Sequence, residues 1–166
     1  MRLLADALVT LNRLDPPAAL AALGGCCGSR RWAELMEEGR PYDSPEAVIE
    51  RAERVFDGLE RSDWLEAFAA HARIGQPDAG DAQGGTEQAG VSGADAEDLR
   101  ILAERNAAYE ARFGHVFLIC ATGLDAPATI AALADRYENP PAVELELAGV
   151  EQRKISRLRL RGMLGR

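Results

Sequence analysis

Apolar positions along this chain recur at helical spacing far more than at strand spacing. Asp15-Pro16 reads as an N-cap with proline at the first helical position, and Gly24-Gly25 closes that short helix. Ser29 caps a second helix carrying Trp32, Leu35 and Met36. Ser44-Pro45 starts a third, with Val48, Ala52, Val55 and Leu59 on one stripe. Ser62 is expected to open a fourth, with Trp64, Leu65 and Phe68. Asp95 caps a long helix to about Phe113, ended by Gly114. Asp125 caps another to about Tyr137, and the last runs from about Pro141 to Met163. Val116–Ala121 is the one run that reads as a strand or as buried extended chain, and a lone strand makes no sheet. The pattern predicts an all-α fold: a single compact domain, residues 1–166, of seven or eight helices. Gly75–Ala94 breaks it, with six glycines and a proline. Loops of that length are functional or disordered, and composition alone leaves both open.

Composition sharpens this picture. Thirty alanines favour helix. No apolar run approaches the roughly 20 residues of a membrane span, and the first residues lack the apolar core of a secretory signal. The net charge of −8 argues against a general nucleic-acid binder. Yet residues 151–166 hold six basic side chains and one acidic. Such a basic helix end binds an anion, docks internally or faces water. Cys26, Cys27 and Cys120 are odd in number and form no CxxC, and the two histidines, His71 and His115, lie far apart. That excludes a disulfide framework and a structural zinc site, so no metal is expected and a reducing cytoplasm fits best.

Three side chains stand out chemically. His71 follows Trp64 and Phe68 at i+7 and i+3, which extends an aromatic helical stripe to the edge of the Gly-rich loop. Its imidazole titrates near neutral pH, suited to proton transfer; a hydrogen-bonded core or rim histidine fits the same position. Arg159 departs from the basic face formed by Arg153, Lys154, Arg157 and Arg161. At 100° per residue it joins Ala148, Gln152, Ile155, Leu158 and Gly162, with Glu151 at the edge of that arc. An inward guanidinium needs a partner, either an internal carboxylate or a substrate anion. Glu87, followed by Gln88, lies in the Gly-rich loop, where a glutamate is ordinarily solvated. Asn106 sits on the apolar stripe of its helix, placed to satisfy backbone groups there.

Taken in order, several short motifs resemble a known family. They are Leu11-Asn12-Arg13-Leu14, Trp64-Leu65-Glu66-Ala67-Phe68 leading to His71-Ala72-Arg73-Ile74-Gly75, and Glu87-Gln88-Ala89-Gly90. Asn106–Gly114, Val116–Ala121 and Ile155-Ser156-Arg157-Leu158-Arg159-Leu160 follow. The ordered set resembles 2-oxo-4-hydroxy-4-carboxy-5-ureidoimidazoline (OHCU) decarboxylase of urate degradation. The resemblance implies a cofactor-free all-α enzyme, commonly a homodimer, that yields (S)-allantoin from a small ureidoimidazoline. It implies catalytic roles for His71, Glu87 and Arg159, with Ala72, Gly84, Gln88 and Ile119 lining the substrate. Ala72 stands where the family usually has proline, and Gly84 where it usually has serine. A non-catalytic homologue that binds a ureide-type ligand or a partner protein is the alternative these two positions suggest.

Overall fold

In a computed structural model the described residues are 2–76 and 87–165, with side chains from residue 7 onward. Among them are eight helices. They are α1 (Arg2–Arg13), α2 (Pro16–Gly24), α3 (Arg30–Glu38), α4 (Pro45–Asp57), α5 (Arg61–Ala69), α6 (Ala96–Phe113), α7 (Ala126–Tyr137) and α8 (Pro141–Met163). No strand occurs among the described residues; one isolated bridge joins Arg73 and Gln76. The all-α expectation is met, and residues 116–121 are non-helical chain between α6 and α7.

The helix starts follow local side-chain chemistry. Asp15, Ser29, Ser44, Asp95 and Asp125 each accept from the backbone N–H three residues on, which satisfies a donor that the first turn leaves unpaired. Gly114 ends α6 at φ +76°, a conformation costly for any residue with a Cβ. Ser62 is not a cap. It is the second residue of α5, and Asp63 Oδ2 instead accepts the Glu60 N–H at 2.9 Å. The signal there runs backwards from the first turn to the cap, as in half of a capping box.

The chain divides into two compact units, Met1–Ala67 with Gln152–Arg166, and Phe68–Glu151. The first has an apolar core around Leu23, Trp32, Met36, Val48, Phe56 and Leu160. Its connections are polar. Asn12 and the Tyr42 backbone exchange two hydrogen bonds of 2.8 and 2.9 Å. Arg40 Nη1 donates to the carbonyls of Leu11 and Leu14, closing the C-terminus of α1. The basic end of α8 docks internally: Arg153 pairs with Asp57 at 2.7 Å and Arg157 with Glu53 at 2.9 Å, both on α4.

The expected inward arc of α8 needs correction. Leu158 and Gly162 are exposed, whereas Gln152, Ser156, Leu160 and Leu164 are buried. A row spaced by four residues advances 40° per step at the 100° per residue of an α-helix, so the buried stripe walks around α8 and away from Leu158. Arg159 is left half-buried beside it.

The second unit packs Ile74, Leu102, Tyr109, Phe117, Ala126 and Leu133 together. Tyr109 is its hub, in ring contact with Phe113, His115 and Phe117. Much of its chain is non-helical, so its backbone polar groups depend on side chains for partners.

Candidate active site

The second unit carries His71, Ala72, Glu87, Gln88 and Ile119; Arg159 belongs to the first; Gly84 lies outside the described residues. α5 ends at Ala69, so His71 stands beyond the helix rather than on its third turn. The His71 N–H closes a turn onto the Phe68 carbonyl at 3.1 Å, and the side chain is half-buried. Phe68 itself is fully buried, with its ring 5.3 Å from that of His115. The aromatic stripe therefore anchors the helix end, and His71 is carried on the segment that leaves it.

That segment is pinned at several points. Arg73 forks onto Glu110 of α6 with bonds of 2.5 and 2.8 Å, and the pairing holds the guanidinium charged by raising its pKa. Asn106 Nδ2 donates to the Ile74 carbonyl at 2.9 Å, so the polar residue on the apolar stripe of α6 does satisfy the backbone. Gly75 takes φ +83°, and its N–H donates to Gln88 Oε1 at 3.1 Å. Gln88 is buried. That bond ties the two sides of the 76–87 segment together, four residues after His71 and one after Glu87. Its side-chain oxygen is thus occupied by the protein, a role the resemblance did not imply.

Gly90, last in the Glu87-Gln88-Ala89-Gly90 run, has a steric reason. A Cβ there would lie 2.1 Å from the Leu124 carbonyl oxygen. The chain after Glu87 passes against the turn that starts α7, and only glycine permits that approach.

Ile119 lies midway along the 116–121 segment, with charged side chains holding the peptide groups on both sides. Arg136 Nη1 donates to the Leu118 carbonyl at 2.8 Å, and Glu151 Oε2 accepts from the Cys120 N–H at 2.7 Å. Arg136 is itself held by Glu144, whose carboxylate is fully buried. Glu144 also accepts from the Tyr109 hydroxyl and from Asn139 Nδ2 at 3.0 Å. Burial, followed by the Glu144 hydrogen bond and charge, pushes the Tyr109 phenol well above its ordinary value, so it stays a donor. Sequence reasoning missed this network. The signal was present: Glu144 precedes Ala148 by four positions and Ile155 by eleven, so a charge stands on an apolar arc, the same argument that singled out Arg159.

In the first unit, Arg159 Nη1 donates to the Gly25 carbonyl at 3.3 Å, at the C-terminus of α2. Cys26 and Cys27 follow directly and are buried. Burial pushes their thiols up to about 12 and about 11, against the lowering pull of Arg159. They are inert packing groups rather than nucleophiles. Among the described residues no His, Cys, Asp and Glu cluster has the makings of a metal site. No described helix is long and apolar enough to cross a membrane. A cleft of about 340 Å³ in the second unit is lined by Arg105, Ala108, Leu133, Ala134, Tyr137 and Glu138, none of them a site residue expected from the sequence.

Comparison with known proteins places these residues in context. The sequence profile of the OHCU decarboxylase family matches residues 12–161. A uric acid degradation bifunctional protein of Arabidopsis thaliana is 39% identical over 142 residues, 81% of this chain and 44% of its own length. The chain thus spans less than half of that relative. A 2-oxo-4-hydroxy-4-carboxy-5-ureidoimidazoline decarboxylase of Mus musculus is 31% identical over 132 residues, 76% of this chain and 74% of its own. A crystal structure of an OHCU decarboxylase in the presence of (S)-allantoin superposes with a TM-score of 0.78 at 36% identity, over 86% of this chain and 96% of that one.

Proposed function

Because the chain belongs to the OHCU decarboxylase family, we propose that it decarboxylates OHCU to (S)-allantoin in urate degradation. The profile runs through both compact units, which supports reading residues 1–166 as one catalytic domain. The observation that carries the reading is the hydrogen bond from the Gly75 N–H to Gln88 Oε1, which holds the chain four residues after His71 against the residue that follows Glu87.

The chemistry needs few groups. When the C4 carboxylate leaves as CO2, its electron pair enters C4–C5, and the C5=N bond accepts the displaced pair. The substrate is its own electron sink and requires no cofactor. The nitrogen that receives the pair takes up a proton, and the resulting enol loses its hydroxyl proton and gains one at C5, on one face. His71 is the acid/base for that transfer. Glu87 holds ureido N–H groups and orients the imidazole. Arg159 stabilises the negative charge of substrate and intermediate. Ala72, Gly84, Gln88 and the Ile119 backbone border the ring. The substitutions Ala72 and Gly84 are read as tolerated variation.

We further propose a homodimer and a cytoplasmic location. Val143, Leu147, Val150 and Leu158 expose 38–47% of their surface at helical spacing along α8, an apolar face suited to a second copy. Three free cysteines suit a reducing compartment. Light scattering of Val150→Asp against the parent tests the dimer: the substitution should yield monomers.

The activity test generates OHCU in situ from urate and follows circular dichroism. Rapid accumulation of one enantiomer of allantoin is expected. Slow racemic product at the protein-free rate would refute the activity and favour ligand binding by the same fold.

A further inference from the structure

Residues 116–121 form no sheet, yet the segment passes through the core of the second unit with Phe117, Leu118 and Ala121 buried. Unpaired backbone at such depth is expensive, so its polar groups must be satisfied by side chains. Two of them are satisfied by ionised groups, and both lie next to Ile119. The Leu118 carbonyl takes Arg136, and the Cys120 N–H takes Glu151.

The planarity of the peptide gives these contacts a second consequence. Both peptides of Ile119 are trans. In a trans peptide the C=O and N–H point to opposite sides of the chain. The Leu118 carbonyl and the Ile119 N–H share one plane; fixing the first on Arg136 aims the second away from it. The Ile119 carbonyl and the Cys120 N–H share the next plane; fixing the N–H on Glu151 aims the carbonyl away from Glu151. Arg136 is in turn immobilised by the buried Glu144, which Tyr109 and Asn139 also hold. Each polar group of Ile119 is therefore directed by a charged clamp on the far end of its own peptide.

From this we infer that Glu151 and the Arg136–Glu144 pair are positioning residues, which present the Ile119 N–H and C=O as a fixed donor–acceptor pair to the amide edge of the substrate ring. A ureidoimidazoline carries N–H and C=O groups side by side, and a rigid backbone pair of this kind matches them without any side chain. The inference rests on the reading that Ile119 borders the substrate. Since the clamps touch backbone and not substrate, they act on ring binding in ground and transition states alike, and their loss raises KM more than it lowers kcat.

Glu151 is the member to test, because breaking the Arg136–Glu144 pair strands a buried charge. Steady-state turnover of OHCU and hydrogen exchange of the Cys120 amide are measured on the parent, Glu151→Ala and Glu151→Gln. Glu151→Ala should raise KM roughly tenfold, the scale of one lost hydrogen bond to a charged group, with kcat within about threefold. Its Cys120 amide should exchange at least about tenfold faster. Glu151→Gln keeps an acceptor oxygen and should restore both. If Glu151→Ala does not fold, Glu151→Asp must show the same split, its carboxylate being one methylene short. Parent-like KM in a folded Glu151→Ala or Glu151→Asp, or a loss of kcat with KM unmoved, overturns the inference while leaving the activity standing. A parent protein without turnover overturns the activity, and the inference falls with it.

Discussion

The two compact units differ in what holds them. The first is organised by apolar volume: Trp32, Met36, Leu23 and Val48 are fully buried, and its hydrogen bonds serve the short connections. The second is organised by polar clamps on irregular chain. Asn106 and Gln88 fix Ile74 and Gly75, while Arg136 and Glu151 fix Leu118 and Cys120. Apolar packing resists truncation by its bulk and orients nothing in particular. A hydrogen bond to a chosen backbone group sets direction, which is what a site recognising a small polar molecule needs. All five proposed site residues described in the second unit, His71, Ala72, Glu87, Gln88 and Ile119, lie within two positions of a clamped or hydrogen-bonded backbone group.

Substitutions of similar cost should then have different functional signatures. Trp32→Ala removes the largest buried side chain of the first unit and should lower unfolding free energy by about 3–5 kcal/mol. Glu144→Ala strands Arg136 in the second and should cost a comparable amount, about 3–5 kcal/mol. Urea titration measures both. The contrast appears in kinetics of the folded fraction: Trp32→Ala keeps the parent KM, and Glu144→Ala raises it because Arg136 no longer holds Leu118. Equal KM values in the two variants would break the contrast.

Gly90→Ala is the next largest. Its Cβ meets the Leu124 carbonyl, so the chain must shift, at about 1–3 kcal/mol. Thermal melting should show the loss, with turnover reduced beyond what the unfolded fraction explains, because Glu87 lies three residues away. Ser29→Ala, which removes the α3 cap in the first unit, should cost about 1 kcal/mol and leave turnover unchanged.

A pH effect also belongs to the first unit. Folding raises the thiol pKa of Cys26 to about 12 and of Cys27 to about 11 from an ordinary value of 9.0. The folded state binds these protons more tightly than the unfolded state. The associated stability is therefore complete below pH 9.0 and is lost as pH rises through 11 and 12. The urea midpoint should fall between pH 8 and pH 10.5, and replacement of both cysteines by alanine should flatten that fall.

Much of the fold was legible because helix signals are local. Asp15, Ser29, Ser44, Asp95 and Asp125 each announce a start within three residues, and all five cap as read. α1 has no such announcement, and the pattern reading did not name it. Ser62 misled because a serine in the right place competes with an Asp63 that bonds backwards. The site was legible only in part. Asn106 showed itself as a polar residue on an apolar stripe. The exposure of Leu158 did not, since a buried row spaced by four drifts around a long helix. Glu144 was hidden for another reason: its partners Tyr109 and Arg136 are 35 and 8 residues away, and a buried pair is visible only when both members are in view.

The proposed site turns on His71 delivering the C5 proton from one face. The most direct measurement is the enantiomeric composition of allantoin formed from OHCU by the parent and by His71→Gln, with folding of both checked by circular dichroism. The parent should give (S)-allantoin. His71→Gln should retain the fold, lose at least about a hundredfold in kcat, the lower end for a positioned acid/base, and yield racemic product. Continued formation of (S)-allantoin at the parent rate by His71→Gln would contradict the assignment.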